Sequence, residues 1–223
     1  MKTEIKNRLV TVLLAIAIII ATVSFSIGLP IYVRPFYYAH IDALDMPKDT
    51  GFTKEQIKQA YDEVLDYLTK PGREFGTGDL KFSEEGASHF ADCKGLFILD
   101  TVAFFVSSAV LIVIMLLRRR GLVELTDGAG YGVTFWSGVS TLGIFALIAG
   151  VAAIDFDKAF EVFHTIFFPG KDNWLFNPRT DEIINVMPQE FFMNCAILIV
   201  SSIIFICVAL IVTGILTRRK KRA

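Results

Sequence analysis

Four long apolar runs divide the chain, at residues 9–33, 95–117, 135–154 and 191–217. A helix needs about 20 residues to cross a hydrocarbon layer roughly 30 Å thick, so each run is long enough to span. The pattern predicts an all-α integral membrane protein with four transmembrane helices, forming a single membrane domain over 1–223. The first run lacks a small-residue cleavage site and is too long for a signal-peptide core, so it reads as an uncleaved signal anchor. Polar residues fill the rest in two outer stretches, 34–94 and 155–190, and three short pieces, 1–8, 118–134 and 218–223.

Within the first outer stretch Ile57, Ala60, Tyr61, Val64, Leu65 and Leu68 recur at helical spacing. Thr53 and Gln56 stand as a capping box before them and Pro71-Gly72 as the stop. This predicts an amphipathic helix that acts as a lid on the membrane domain or lies in the headgroup layer. Ser83 follows a glycine-containing link and is a plausible N-cap for a helix carrying Glu85, His89 and Asp92 into the second span. In the second outer stretch, residues 155–168 read as a re-entrant or interfacial helix between spans 3 and 4. Phe156, Phe160, Phe163 and Phe167 share one face, and Asp157, Glu161 and His164 form a neighbouring polar stripe.

Charge orients this layout. Lys2, Lys6 and Arg8 precede the first run, Arg118–Arg120 follow the second and a basic cluster from Arg218 to Arg222 ends the fourth. The positive-inside rule places both termini and the 118–134 loop in the cytoplasm, N-in and C-in, with 34–94 and 155–190 extracellular as a helical cap. Composition agrees with the membrane class: 53% hydrophobic residues and a mean hydropathy of +0.54. The net charge of -1 gives no reason to expect a nucleic-acid partner. Three cysteines, two of them inside the fourth run, do not form a disulfide framework. The glycines of the 118–134 loop lack the lysine and the strand-turn-helix setting of a phosphate loop.

His40, His89 and His164 all lie in the outer stretches. His89 and His164 each have acidic neighbours one helical turn away, an arrangement that orients an imidazole for proton transfer. Spacing alone is equally compatible with solvated surface groups; their place at the outer membrane boundary, where lipid-chained substrates present polar parts, favours chemistry. His40, near Asp42 and Asp45, reads as solvated. Asp100 reads as a carboxylate reaching water near the outer edge of its span. Cys93, one turn from His89, reads as a small apolar filler rather than a nucleophile. Arg179 stands open between a cation for an oxyanion or lipid phosphate and an interfacial anchor beside Trp174. A metal site is the competing reading, but no ligand motif such as HExxH is present and a third ligand is missing.

Three motifs go further: Phe82-Ser83-Glu84-Glu85-Gly86-Ala87-Ser88-His89-Phe90-Ala91-Asp92-Cys93-Lys94, Phe163-His164-Thr165-Ile166-Phe167-Phe168 with Asn173-Trp174-Leu175-Phe176-Asn177-Pro178, and Asp181-Glu182-Ile183-Ile184-Asn185-Val186-Met187-Pro188-Gln189-Glu190-Phe191-Phe192. With four spans, they resemble the lipoprotein intramolecular transacylase family of Gram-positive bacteria, although the family pattern calls for an aliphatic residue at Cys93. The resemblance implies a multi-pass enzyme of the plasma membrane with its active site on the extracellular face. Its substrates would be diacylated lipoproteins, within membrane lipid. The sn-2 acyl chain of the S-diacylglyceryl group would move to the α-amine of the N-terminal cysteine, leaving an N-acyl S-monoacylglyceryl product. His89 and His164 match the family's two essential histidines. Glu85, Asp92, Glu161 and Arg179 are expected in support, and Phe160, Phe163, Phe167 and Trp174 as the lining of an acyl slot. No cofactor is expected. The other classes compatible with the residues are a non-enzymatic scaffold or receptor, and a metal-dependent lipid hydrolase.

Overall fold

The computed structural model describes residues 2–222. Met1, Ala223 and the side chains of Lys2, Lys221 and Arg222 lie outside the described residues, and with them the outermost positions of the expected segments 1–8 and 218–223. The described chain is helical, with one isolated bridge between Gly128 and Tyr131. The helices are α1 (Lys2–Tyr32), α2 (Arg34–Ala43), α3 (Met46–Thr50), α4 (Lys54–Thr69), α5 (Glu84–Arg119), α6 (Val133–Ile154), α7 (Phe156–Phe167), α8 (Ile183–Val186) and α9 (Gln189–Arg222).

Helices α1, α5, α6 and α9 are long and apolar enough to cross a membrane. They coincide with the four apolar runs but extend past them, because backbone hydrogen bonds propagate beyond the hydrocarbon boundary that hydropathy detects. The most consequential extension is at α5, which begins at Glu84, so that His89 lies within a helix and not in a loop.

Contacts resolve two compact units. The first comprises Met1–Ile27, Thr101–Val151 and Ile199–Ala223. Here small residues let helices approach, as expected where lipid tails supply no hydrophobic drive between helices. A Cβ at Gly138 of α6 would come within 2.9 Å of the Cys207 carbonyl of α9, and one at Gly214 of α9 within 2.6 Å of Phe135 Cβ. Ser26 Oγ donates to Thr22 O at 2.9 Å and lies in hydrogen-bond contact with Ser202 Oγ at 3.1 Å, so its hydroxyl is satisfied without water. Large apolar side chains point outward, Leu147 at 70% and Phe205 at 76% exposure, as on a surface whose solvent is lipid. The glycine-containing turn at 128–131 is a structural closure. Trp136 Nε1 donates to Gly128 O at 2.8 Å, and the Arg218 guanidinium lies 4.0 Å above the Tyr131 ring.

The second unit comprises Gly28–Asp100 and Ala152–Leu198. Helix α4 carries the predicted capping box: Gln56 N donates to Thr53 Oγ1 and Thr53 N to Gln56 Oε1. All six residues of its predicted apolar face are buried. That face is closed by neighbours in the same unit rather than left for the headgroup layer. Tyr61 stacks on Tyr37 of α2 at 3.6 Å, and Tyr37 donates to the Val186 carbonyl of α8 at 2.6 Å. Burial pushes both phenols well above their ordinary range. Arg34 pairs with Asp62 at 2.9 Å and with Asp66, tying α2 to α4. His40 is half-buried against Phe36 and Phe191 and donates to the Phe36 carbonyl, so it is not the solvated group its sequence context implied.

Candidate active site

Helix α7 forms where the 155–168 pattern predicts. Asp155 caps it, accepting from Lys158 N at 2.9 Å. At 12 residues it is about 18 Å long, too short to span. Its polar stripe divides, with Asp157 and Glu161 exposed. His164 is the buried residue, at 6% exposure, while Phe163 and Phe167 stand half-exposed at 47% and 48%. Packing rings on one side of the helix enclose the imidazole and outweigh its polarity.

His89 is buried to the same degree, 5% exposed. The two imidazoles lie 5.7 Å apart, centroid to centroid, both within the second compact unit. Aromatic rings surround them. Phe168 lies 4.8 Å from His89 and 5.7 Å from His164, Trp174 stacks on His164 at 4.5 Å, Phe160 sits 4.3 Å from His164, and Phe176 meets His89 at 5.5 Å. Of the residues expected to line a slot, Phe160 and Trp174 pack directly on His164. Phe163 touches its edge at 5.4 Å, and Phe167 reaches Phe163 instead.

The segment after α7 turns at Gly170, whose φ of +72° few other residues adopt. It then ties itself to α5. Lys171 Nζ meets Asp92 Oδ1 at 2.6 Å, Asn173 Nδ2 donates to Asp92 Oδ2 at 3.1 Å, and Trp174 Nε1 donates back to Lys171 O at 3.1 Å. Further along, buried Asp181 accepts from Ser83 N and Ser83 Oγ at 2.8 and 2.7 Å, while Ser83 Oγ takes Gly86 N at 3.0 Å. The predicted cap is therefore present and is itself held by Asp181. This matters to the site because it fixes the first turn of the helix that presents His89.

The acidic residues do not occupy the places expected of them. Asp92 is spent on Lys171 and Asn173 rather than on His89 directly. Glu161 is exposed and pairs with Lys158 at 2.7 Å. The partner of His164 is the Phe160 carbonyl, 2.7 Å from Nδ1, because a carbonyl at i−4 lies nearer the ring than a side chain at i−3. Glu85 is exposed and makes no hydrogen bond or ion pair to His89 among the described residues. Arg179 is exposed and lines an open groove with Leu80, Lys81, Phe82, Ser83 and Thr180, away from the rings that enclose the imidazoles. Cys93 is more than filler, since its Sγ lies 3.4 Å from His89 Nε2.

The chemistry available follows from hydrogen-bond direction. A backbone carbonyl only accepts, so His164 carries its proton on Nδ1 and leaves the Nε2 lone pair free. Burial lowers its pKa below the ordinary 6.5, which keeps that lone pair available at neutral pH. No three of the histidines, cysteines and carboxylates converge on a metal-holding geometry among the described residues. The arrangement offers two proton-handling imidazoles in a water-poor aromatic pocket. Sequence reasoning missed Phe168, Phe176, Lys171 and Asn173; the Phe167-Phe168-Pro169-Gly170 turn was the one local signal that the chain doubles back here.

Comparison with known proteins now adds to the geometry. The family model described as lipoprotein intramolecular transacylase Lit matches residues 12–192. Two crystal structures share the fold: the membrane integral lipoprotein intramolecular transacylase Lit from Bacillus cereus, with a TM-score of 0.87 at 24% identity over 98% of this chain and 99% of that one, and a form of it in which a histidine is replaced by arginine, with a TM-score of 0.80 at 24% identity over 98% and 95%. A third, with the histidine replaced by alanine, has a TM-score of 0.78 at 24% identity over 97% of each chain. No curated protein matches the chain.

Proposed function

The chain belongs to the lipoprotein intramolecular transacylase family, an integral membrane acyltransferase, and we propose that it moves the sn-2 acyl chain of a diacylglyceryl-modified lipoprotein onto the α-amine of the N-terminal cysteine. The observation that carries this reading is the pair of buried imidazoles, 5.7 Å apart inside an aromatic pocket. One substrate molecule supplies both nucleophile and electrophile, so the enzyme need not store the acyl group. Holding amine against ester supplies most of the advantage, up to roughly 7–11 kcal/mol at ideal orientation.

His164 Nε2 takes a proton from the amine as its nitrogen attacks the ester carbonyl. That proton passes on through His89 to the glyceryl oxygen as the C–O bond breaks, so an amide C–N bond replaces the ester and both imidazoles return to neutral. The net proton passes from nitrogen to oxygen, and nothing is gained or lost. Phe160, Phe168, Trp174 and Phe176 shape the slot and keep out water that would divert the reaction to hydrolysis. Phe163 stands at its mouth, Phe167 faces lipid, and Arg179 is left for a polar headgroup outside the pocket. The basic clusters at Lys6, Arg118–Arg120 and Arg218–Lys220 support an N-in, C-in topology in the cell membrane, with the pocket extracellular.

Mass spectrometry of N-terminal lipopeptides, from cells with and without this gene, tests the reading. Expressing cells should accumulate N-acyl, S-monoacylglyceryl peptides. Unchanged diacylglyceryl peptides with free amines would overturn it.

A further inference from the structure

Two polar atoms in the pocket are buried and have no hydrogen-bond partner among the described residues: His89 Nδ1 and Asn173 Oδ1. Buried polar atoms are nearly always satisfied, so two orphans in one pocket need an explanation. They are complementary. An amide oxygen only accepts, and Nδ1 donates in one of the two imidazole tautomers.

The orientation of Asn173 follows from its neighbours. Its Nδ2 donates to Asp92 Oδ2 at 3.1 Å and to Ser88 Oγ at 3.4 Å. A carboxylate cannot donate, so the nitrogen must face Asp92 and the oxygen must point elsewhere. Asp92 is held in turn by Lys171 through its other oxygen, at 2.6 Å. Ser88 and Asp92 flank His89 on α5, so the Asn173 amide sits against the turn that carries the ring, where a hydrogen bond from it can form. Such bonds are often long in a ligand-free site and tighten in the substrate complex.

We propose that Asn173 is the positioning residue for His89: its Oδ1 takes the Nδ1–H, in a chain from Lys171 through Asp92 and Asn173 to His89, so that Nε2 is the nitrogen that meets substrate. This rests on the transacylase reading above and concerns how one of its two histidines is held. In this structure His89 Nε2 faces Cys93 Sγ at 3.4 Å, a weak partner that a glyceryl oxygen displaces. When His89 receives the proton that His164 removed from the amine, Nδ1–H keeps its acceptor and Nε2–H passes that proton to the departing oxygen. The charged or titratable groups around the ring are His164, Asp92, Lys171 and Cys93. Asp92 and Lys171 neutralise each other, so Asn173 transmits orientation more than charge.

The test uses the full chain in phosphatidylglycerol vesicles, with a synthetic diacylglyceryl lipopeptide bearing a free amine. Asn173→Ala should lower kcat at least about ten-fold with KM within about two-fold, as loss of a proton-transfer geometry does. Asp92→Asn should lower it as well, and the exchange D92N/N173D should restore most of it. In the exchange the amide at position 92 donates to the carboxylate at position 173, and that carboxylate accepts Nδ1–H. Nitrogen-15 NMR of histidine-labelled protein, with the His89 signals assigned by their loss in His89→Asn, should find neutral His89 protonated at Nδ1 in the wild type and a tautomer mixture in Asn173→Ala. Wild-type kcat in Asn173→Ala, an Nε2–H tautomer in the wild type, or no recovery in the exchange would each overturn the relay. Should Asn173→Ala not fold, the wild-type spectrum and the exchange still decide. If the wild type converts no lipopeptide, the transacylase reading falls while the spectrum still judges the relay.

Discussion

The two histidines look alike in sequence, each a turn from acidic residues, yet they are held in different ways. His164 is self-contained: its Nδ1 proton goes to the Phe160 carbonyl of its own helix, 2.7 Å away. His89 depends on a distant segment, because the groups around it, Asn173, Phe168 and Phe176, arrive from 79 to 87 residues further along the chain. The first arrangement survives as long as α7 is helical. The second exists only while the 168–176 segment is latched to α5 by Lys171, Asn173 and Asp92. A site built this way has one pre-set imidazole and one whose placement is a tertiary property.

Replacing either imidazole is the largest break. His164→Ala and His89→Ala should each lower conversion at least about 100-fold, the lower end of what acid-base catalysis supplies. Thermal stability in vesicles should be retained, and near-wild-type turnover in either would move the chemistry elsewhere.

Acidification should act through His164 next. Burial disfavours its imidazolium, so its pKa lies below 6.5. The base form therefore persists as pH falls through the ordinary imidazole range, and the rate drops only below it, ten-fold per pH unit once the group is protonated. A kcat profile already falling above pH 6.5 would show that His164 is not the burial-shifted base.

Lys171→Met loosens only the His89 side. Its ion pair with Asp92 is partly exposed, which limits the effect to about five-fold on kcat. The nitrogen-15 signature of His164 should not change, and a change there would erase the distinction between the two sites. Glu161→Gln should be smallest, within about two-fold, since that carboxylate serves an exposed pair with Lys158. A large loss would restore it as a partner of His164.

How much of this was readable in the chain follows the same division. Hydropathy found the four spanning helices, and the capping box at Thr53 and the cap at Ser83 were legible because both are local. So was α7, whose N-cap Asp155 stands directly before its periodic run. Helices α2, α3 and α8 were not legible, being 10, 5 and 4 residues long with no periodic stripe to detect. The two histidines were found, but their neighbours were assigned by helical spacing to Asp92 and Glu161. Spacing cannot register that a lysine and an asparagine from another segment claim one of those carboxylates. Nor can it foresee that Phe160, Phe168 and Trp174 enclose His164 while Asp157 and Glu161 of the same stripe stay exposed.

An intramolecular acyl transfer is an isomerisation and conserves mass. Purified protein in vesicles, given a synthetic lipopeptide with an isotopically labelled sn-2 acyl chain, can be followed by tandem mass spectrometry. The product should have unchanged mass, with the label moved from the glyceryl fragment to the N-terminal cysteine amide. Release of the label as free fatty acid would contradict it, and so would a label that stays on glycerol.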